Sequence, residues 1–168
     1  MQIKGMRRWI GLVLTVLVAL RAAPVWSEME PLAVVVAADR ASDLIDAEKL
    51  ALIYMRKKSR WSDGDRIQPV NLPASDPLRE QFSEAILKLR PAALEDYWNE
   101  QYFHGILPPH VVQSEVAMAL FIAQTDGAIG YLRYCTLASG LKVLLVLTPE
   151  GQLVPPGQFV AQCRPASR

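Results

Sequence analysis

From residue 32 onward, apolar and polar positions follow two rhythms. LAVVVA (32–37) is a continuous apolar run rich in β-branched side chains, the pattern of a buried strand. Asp46 is then placed to cap a helix whose apolar face is Ala47, Leu50, Ile53 and Tyr54. Arg56, Lys57 and Lys58 crowd its end, where the helix dipole favours positive charge. Asp63-Gly64 supplies a turn, and RIQPVNL (66–72) reads as a second strand, with Pro69 putting it at an edge or an end.

Asp76 starts the next helix, with Pro77 at the first helical position, where its missing N–H costs nothing. Leu78, Phe82, Ala85, Ile86 and Leu89 make its apolar stripe. Pro91 opens another helix, PAALEDYWNEQYF, ended by His104-Gly105, and ILPPHVVQ reads as a loop. Helical spacing of Tyr97, Trp98, Tyr102 and Phe103 predicts core packing, a stacking platform being the alternative. Ser114 caps SEVAMALFIAQ, which is apolar on nearly every side and is expected to be buried; Gly127 is expected to close it as a left-handed cap. AIGYLRY and KVLLVL are two further strands, and the Pro- and Gly-rich tail (148–168) is expected to be irregular. Strands alternating with helices predict an α/β layer structure. No glycine-rich fingerprint follows any strand, so a dinucleotide-binding Rossmann fold is excluded.

The first residues follow another plan. Lys4, Arg7 and Arg8 precede an apolar run from Trp9 to Leu20, shorter than the roughly 20 residues that span a bilayer. Small residues follow, so residues 1–27 read as a secretory signal peptide cut near Ser27/Glu28. This predicts export to the periplasm, with residues 28–147 forming one domain. Four of the 18 basic residues (Lys4, Arg7, Arg8, Arg21) lie in the leader and all 17 acids lie beyond it, which leaves a net charge of −3. That balance argues against nucleic acid as a partner. Cys135 and Cys163 are a candidate disulfide in an oxidising compartment, two unpaired thiols being the alternative.

Several segments in order resemble a known family. They are VVVA, LALIYMRKKSRW, the strand leading to SDPLREQF, YWNEQYFHG and AQTDGAIGYL. They resemble the phosphate-binding-protein-like periplasmic solute-binding family, most closely its small single-lobe phosphate ABC transporter substrate-binding members. The likeness runs over roughly residues 32–134. It implies one lobe of a type II periplasmic-binding-protein-like α/β fold, a small mixed sheet flanked by helices. It also implies a link to phosphate or another small oxyanion, and to an inner-membrane transporter or envelope protein. A lone lobe lacks one wall of a clamp, so a dimer is a further expectation.

The ligand motif itself departs from the family. Relatives carry R-x-D-x-S-G-T before a helix, whose bare N–H groups and dipole hold the anion. Aligned on Phe82, this chain has Leu72 for the Arg and Ala74 for the Asp. Asp76, Pro77 and Leu78 replace Ser-Gly-Thr. An aspartate at the cap repels an anion, and Pro77 removes an N–H. The loop therefore reads as a structural cap or as an altered anion site, in which Asn71, Ser75 and Arg79 are the nearest polar candidates.

Nothing else in the sequence predicts chemistry. His104 and His110 do not have the spacing of a zinc motif. The basic run from Arg56 to Arg60 is a solvated helix end or a docking spot for an acidic partner or lipid headgroups. No nucleophile–base pair stands out, so neither an enzyme nor a cofactor is expected. Two functions remain: a solute-binding-like protein with weak anion affinity, or a non-catalytic interaction module that has lost its ligand.

Overall fold

The apolar run Leu32–Ala37 forms strand β1, buried almost end to end because neighbours cover both its edges and both its faces. A computed structural model describes residues 29–41, 45–161 and 163. The predicted signal peptide lies outside the described residues. No helix among them is long and apolar enough to cross a membrane.

β1 is followed by α1 (Ala47–Tyr54), β2 (Gln68–Asn71) and α2 (Pro77–Leu87). A 3-10 turn at Pro91–Leu94 leads into α3 (Glu95–Phe103), and then come β3 (His110–Val111) and α4 (Glu115–Gln124). The chain closes with β4 (Ala128–Arg133), β5 (Leu141–Leu147) and β6 (Leu153–Val154). The strands form one mixed sheet in the order β3-β2-β4-β1-β5-β6. β1 runs antiparallel to both β4 and β5, while β2 is parallel to β4 and to β3. The predicted α/β layer structure, a small mixed sheet flanked by helices, is present.

Adjacent residues of β4 show why helices cover both faces, since side chains alternate along a strand. Tyr131 turns toward α2, where its ring stacks on Phe82 with centroids 4.0 Å apart, and Tyr54 of α1 packs beside them. Gly130 turns toward α4: a Cβ there would lie 2.7 Å from Ile122 Cδ1 and 2.9 Å from Met118 Sδ. The missing side chain lets α4 sit close on the sheet.

The expected caps of three helices form. Asp46 accepts from the Lys49 N–H, Asp76 from the Leu78 N–H and Ser114 from the Ala117 N–H. Pro69 lies inside β2, which is not an edge strand. The Gln68 N–H donates to the Gly127 carbonyl, so the Pro69 nitrogen faces the other side, where β3 begins pairing only at Val70.

Several expectations are corrected. Leu89 is exposed, because α2 stops at Leu87 with Lys88 in the left-handed conformation. α3 contributes no buried residue; Tyr102 and Phe103 face solvent, so the aromatic spacing does not mark a core face. α4 buries only Met118 and Ile122 and leaves Val116 and Leu120 exposed, since it covers the sheet with one face and nothing among the described residues covers the other. The ILPPHVVQ segment contains β3. Gly127 does not cap α4; Thr125 ends that helix in extended conformation, and Gly127, with φ +74°, completes the turn into β4. The tail is not wholly irregular, because β6 pairs with the end of β5.

Candidate functional site

The end of β2 and the first turn of α2 meet above β4. Asn71 is the last residue of β2, and its carbonyl accepts the Val112 N–H at 2.9 Å. Its side chain is buried, and Asn71 Oδ1 accepts from the Tyr131 hydroxyl at 3.4 Å. The Leu72 N–H donates to the same hydroxyl at 3.3 Å. Residues 73–75 then cross the surface, and Ser75 is exposed there. Asp76 closes the loop, its N–H donating to the Pro73 carbonyl at 3.0 Å.

The N-terminus of α2 is largely occupied by its own chain. The first four N–H groups of a helix, counted from the cap residue, lack intrahelical partners. Pro77 has none to offer, and the Leu78 N–H donates to Asp76 Oδ1 at 2.8 Å. An approaching anion meets the Asp76 carboxylate at the end of the dipole where other helices receive ligands.

The buried face of α2 carries two polar residues, Arg79 and Ser83, among the apolar Leu78, Phe82 and Ile86. Arg79 is only 7% exposed, and no carboxylate among the described residues lies within ion-pair distance of it. Its Nη1 is buried with no hydrogen-bond partner. One turn on, Ser83 is fully buried and its Oγ is likewise unpartnered. Burial pulls the Arg79 pKa below its ordinary value, and the nearby Tyr131 and Tyr54 oppose that shift. Both tyrosines are held neutral far into alkali, chiefly by burial. The Tyr54 hydroxyl is shared between the carbonyls of Val70 and Ile129, at 3.2 and 3.3 Å.

Of the three residues singled out in the sequence, Asn71 and Arg79 converge on Tyr131, and Ser75 stays outside on the loop. Tyr54, Tyr131 and Ser83 belong to the same cluster and were missed. Ser83 could have been found, since it lies four residues after Arg79 on one helix face. The tyrosines gave no signal, because each fits an apolar pattern.

The surface carries two open depressions. One, of about 240 Å³, is acidic, with Asp39, Asp63, Asp65 and Asp126 around Arg40. The other, of about 420 Å³, runs along the outer side of α2 between Arg90 and Arg133. Neither is lined by Asn71, Ser75 or Arg79. The Arg40 guanidinium is itself engaged, bonding Asp63 at 2.9 Å and Asp65 at 3.1 Å and lying over the Trp61 ring. Cys135 and Cys163 lie apart from this cluster and are joined in the structure, their Cα atoms 5.4 Å apart.

The fold has solved counterparts. An ABC-type phosphate transport receptor from Vibrio cholerae superposes with a TM-score of 0.55 at 19% identity, over 68% of this chain and 45% of that one. A phosphate ABC transporter substrate-binding type protein from Clostridium perfringens, solved with bound phosphate, gives 0.53 at 13% identity over 68% and 44%. A phosphate-binding type protein from Planctomyces limnophilus gives 0.52 at 18% identity over 68% and 40%. This chain thus spans less than half the length of each, and at these identities the likeness is one of fold. No protein-family model and no curated protein matches the sequence.

Proposed function

We propose that this chain is a solute-binding-type lobe of the cell envelope that takes a small oxyanion through the Arg79 guanidinium rather than through the N-terminus of α2. The observation that carries this reading is the buried Arg79 Nη1 without a partner. An uncompensated buried charge costs several kcal/mol, and an anion seated on it recovers much of that. The fold shared with phosphate receptors supports phosphate or sulfate as the ligand class. Asn71 and the Tyr131 hydroxyl are the neutral groups nearest to complete the shell. A single lobe leaves one side open, so the affinity is expected to be weak.

The test is a thermal melt of the purified protein with phosphate, sulfate and chloride. Phosphate or sulfate at 100 times its Kd should stabilise by about 2.7 kcal/mol. Arg79→Met, which keeps the buried stem, should abolish that shift.

A second reading is favoured by a separate observation. Asp76 closes the helix N-terminus, and α4 presents Val116 and Leu120 to solvent. On that reading the lobe is a non-catalytic interaction module that contacts a transporter or another envelope protein. A flat melt with every oxyanion at millimolar concentration, in wild type and Arg79→Met alike, selects it.

A further inference from the structure

We infer that the Cys135–Cys163 disulfide is a redox-sensitive strap: it ties the C-terminal segment, which includes the short strand paired to the outer edge of β5, to the turn after β4, and its reduction by a dithiol frees that segment and bares the edge at Val146 and Leu147. Cys135 lies in the 3-10 turn that follows β4, and Cys163 lies 28 residues later, beyond β5 and β6. Both cysteines are exposed, so a reductant reaches them without the fold opening.

The segment is weakly held by everything else. β6 pairs with β5 at two positions only, Val146 with Val154 and Leu147 with Leu153. The turn adds the Thr148 N–H bond to the Gln152 carbonyl at 2.8 Å, Leu153 packs half-buried against the core, and Phe159 lies edge-on to Tyr134 at 5.0 Å. No described residue after Thr148 is buried. The other side of β5 differs in kind: it pairs with β1 along the whole of that strand, deep in the core. Loss of the bond therefore loosens the outer edge while the inner one stays paired.

In the reaction, a dithiol thiolate attacks one sulfur and the S–S bond breaks to give a mixed disulfide. The second thiol of the reductant resolves it. Cys135 and Cys163 end as thiols, and the dithiol becomes a disulfide, so two electrons and two protons are transferred. The bared edge presents unpaired backbone N–H and C=O groups, which is the template for adding a strand from another chain.

The experiment is hydrogen exchange read by mass spectrometry on the purified full chain, oxidised and after dithiothreitol, with a Cys135→Ser/Cys163→Ser double variant alongside. Reduction and the double variant should each raise exchange at residues 153–159 and at the outward amides of 145–147 by tenfold or more. Protection in β1 and β4 should be unchanged. Two alkylated cysteines in denatured, unreduced protein would overturn the proposal. So would unchanged exchange at 153–159 after reduction. Simultaneous loss of protection across the whole sheet would also sink it, since the bond would then be a staple of the entire fold.

Discussion

The Leu78 N–H donates to Asp76 Oδ1 across 2.8 Å, so the first turn of α2 carries its own anion. Asp76→Ala should cost about 1 kcal/mol through loss of the cap, read as a shift in the denaturation midpoint. Asp76→Ser keeps a capping oxygen and removes the charge. It should be nearly neutral for stability and should tighten phosphate binding about fivefold, the equivalent of roughly 1 kcal/mol of relieved repulsion. Calorimetric titration of both variants reads the two effects separately.

Alkali should unfold this protein steeply. Burial raises the folded pKa of Tyr54 and Tyr131 above the ordinary tyrosine value. The unfolded chain ionises first, so this contribution is fully present below about pH 10 and is lost as pH rises toward the folded values. Each tyrosine should add a slope of about 1.4 kcal/mol per pH unit. Tyr54→Phe should remove about half of the steepness attributable to the pair. Urea denaturation from pH 9 to 11.5 measures it, and an unchanged slope in the variant would refute the assignment.

The two glycines of β4 and its entry turn should differ. At Gly130 an added Cβ meets the movable ends of Ile122 and Met118 and the stiffer Val70 Cγ1, all side-chain atoms, so Gly130→Ala should cost about 1–3 kcal/mol. At Gly127 a Cβ would sit 2.0 Å from the Arg66 carbonyl oxygen, on a backbone with φ +74°. That carbonyl belongs to the main chain and cannot swing aside. Gly127→Ala should therefore cost about 2–5 kcal/mol, adding left-handed strain to overpacking. It should also disturb the Trp61 Nε1–H bond to the Gly127 carbonyl, now 3.0 Å, which tryptophan fluorescence can follow.

On α4, neighbouring apolar residues should behave oppositely. Ile122 is fully buried, and Ile122→Ala should cost about 2–5 kcal/mol. Leu120 is 54% exposed, and Leu120→Ala should change stability by no more than about 0.5 kcal/mol. If the lobe is an interaction module working through this helix, Leu120→Glu should spare the melting temperature and abolish partner binding in a pull-down from envelope extracts.

Much of the fold was legible because its signals are local. The unbroken run Leu32–Ala37 had to be a strand covered on both faces, and Asp46, Asp76 and Ser114 had to cap helices, since each decision involves only a few consecutive residues. The error at α3 arose because helical spacing of aromatics says which residues share a face but not whether anything covers that face. The error at α4 has the same origin, because a helix apolar all round looks buried even when it has only one neighbour. In the site, Asn71 and Arg79 were visible as polar residues near a helix start, whereas Tyr131 lies some 60 positions away in sequence and only strand pairing brings it to them.

The sequence by itself therefore determined four of the six strands, the caps that start three helices and the absence of an R-x-D-x-S-G-T pattern before α2, since hydrophobic period, capping oxygens and a missing Ser-Gly-Thr are properties of short segments. Only the tertiary structure decided that Arg79 is buried with its Nη1 left without a hydrogen-bond partner, and that the tail returns to the sheet edge. Those outcomes depend on which surfaces meet when the sheet closes, and no local pattern encodes the distance between residues that the fold brings together.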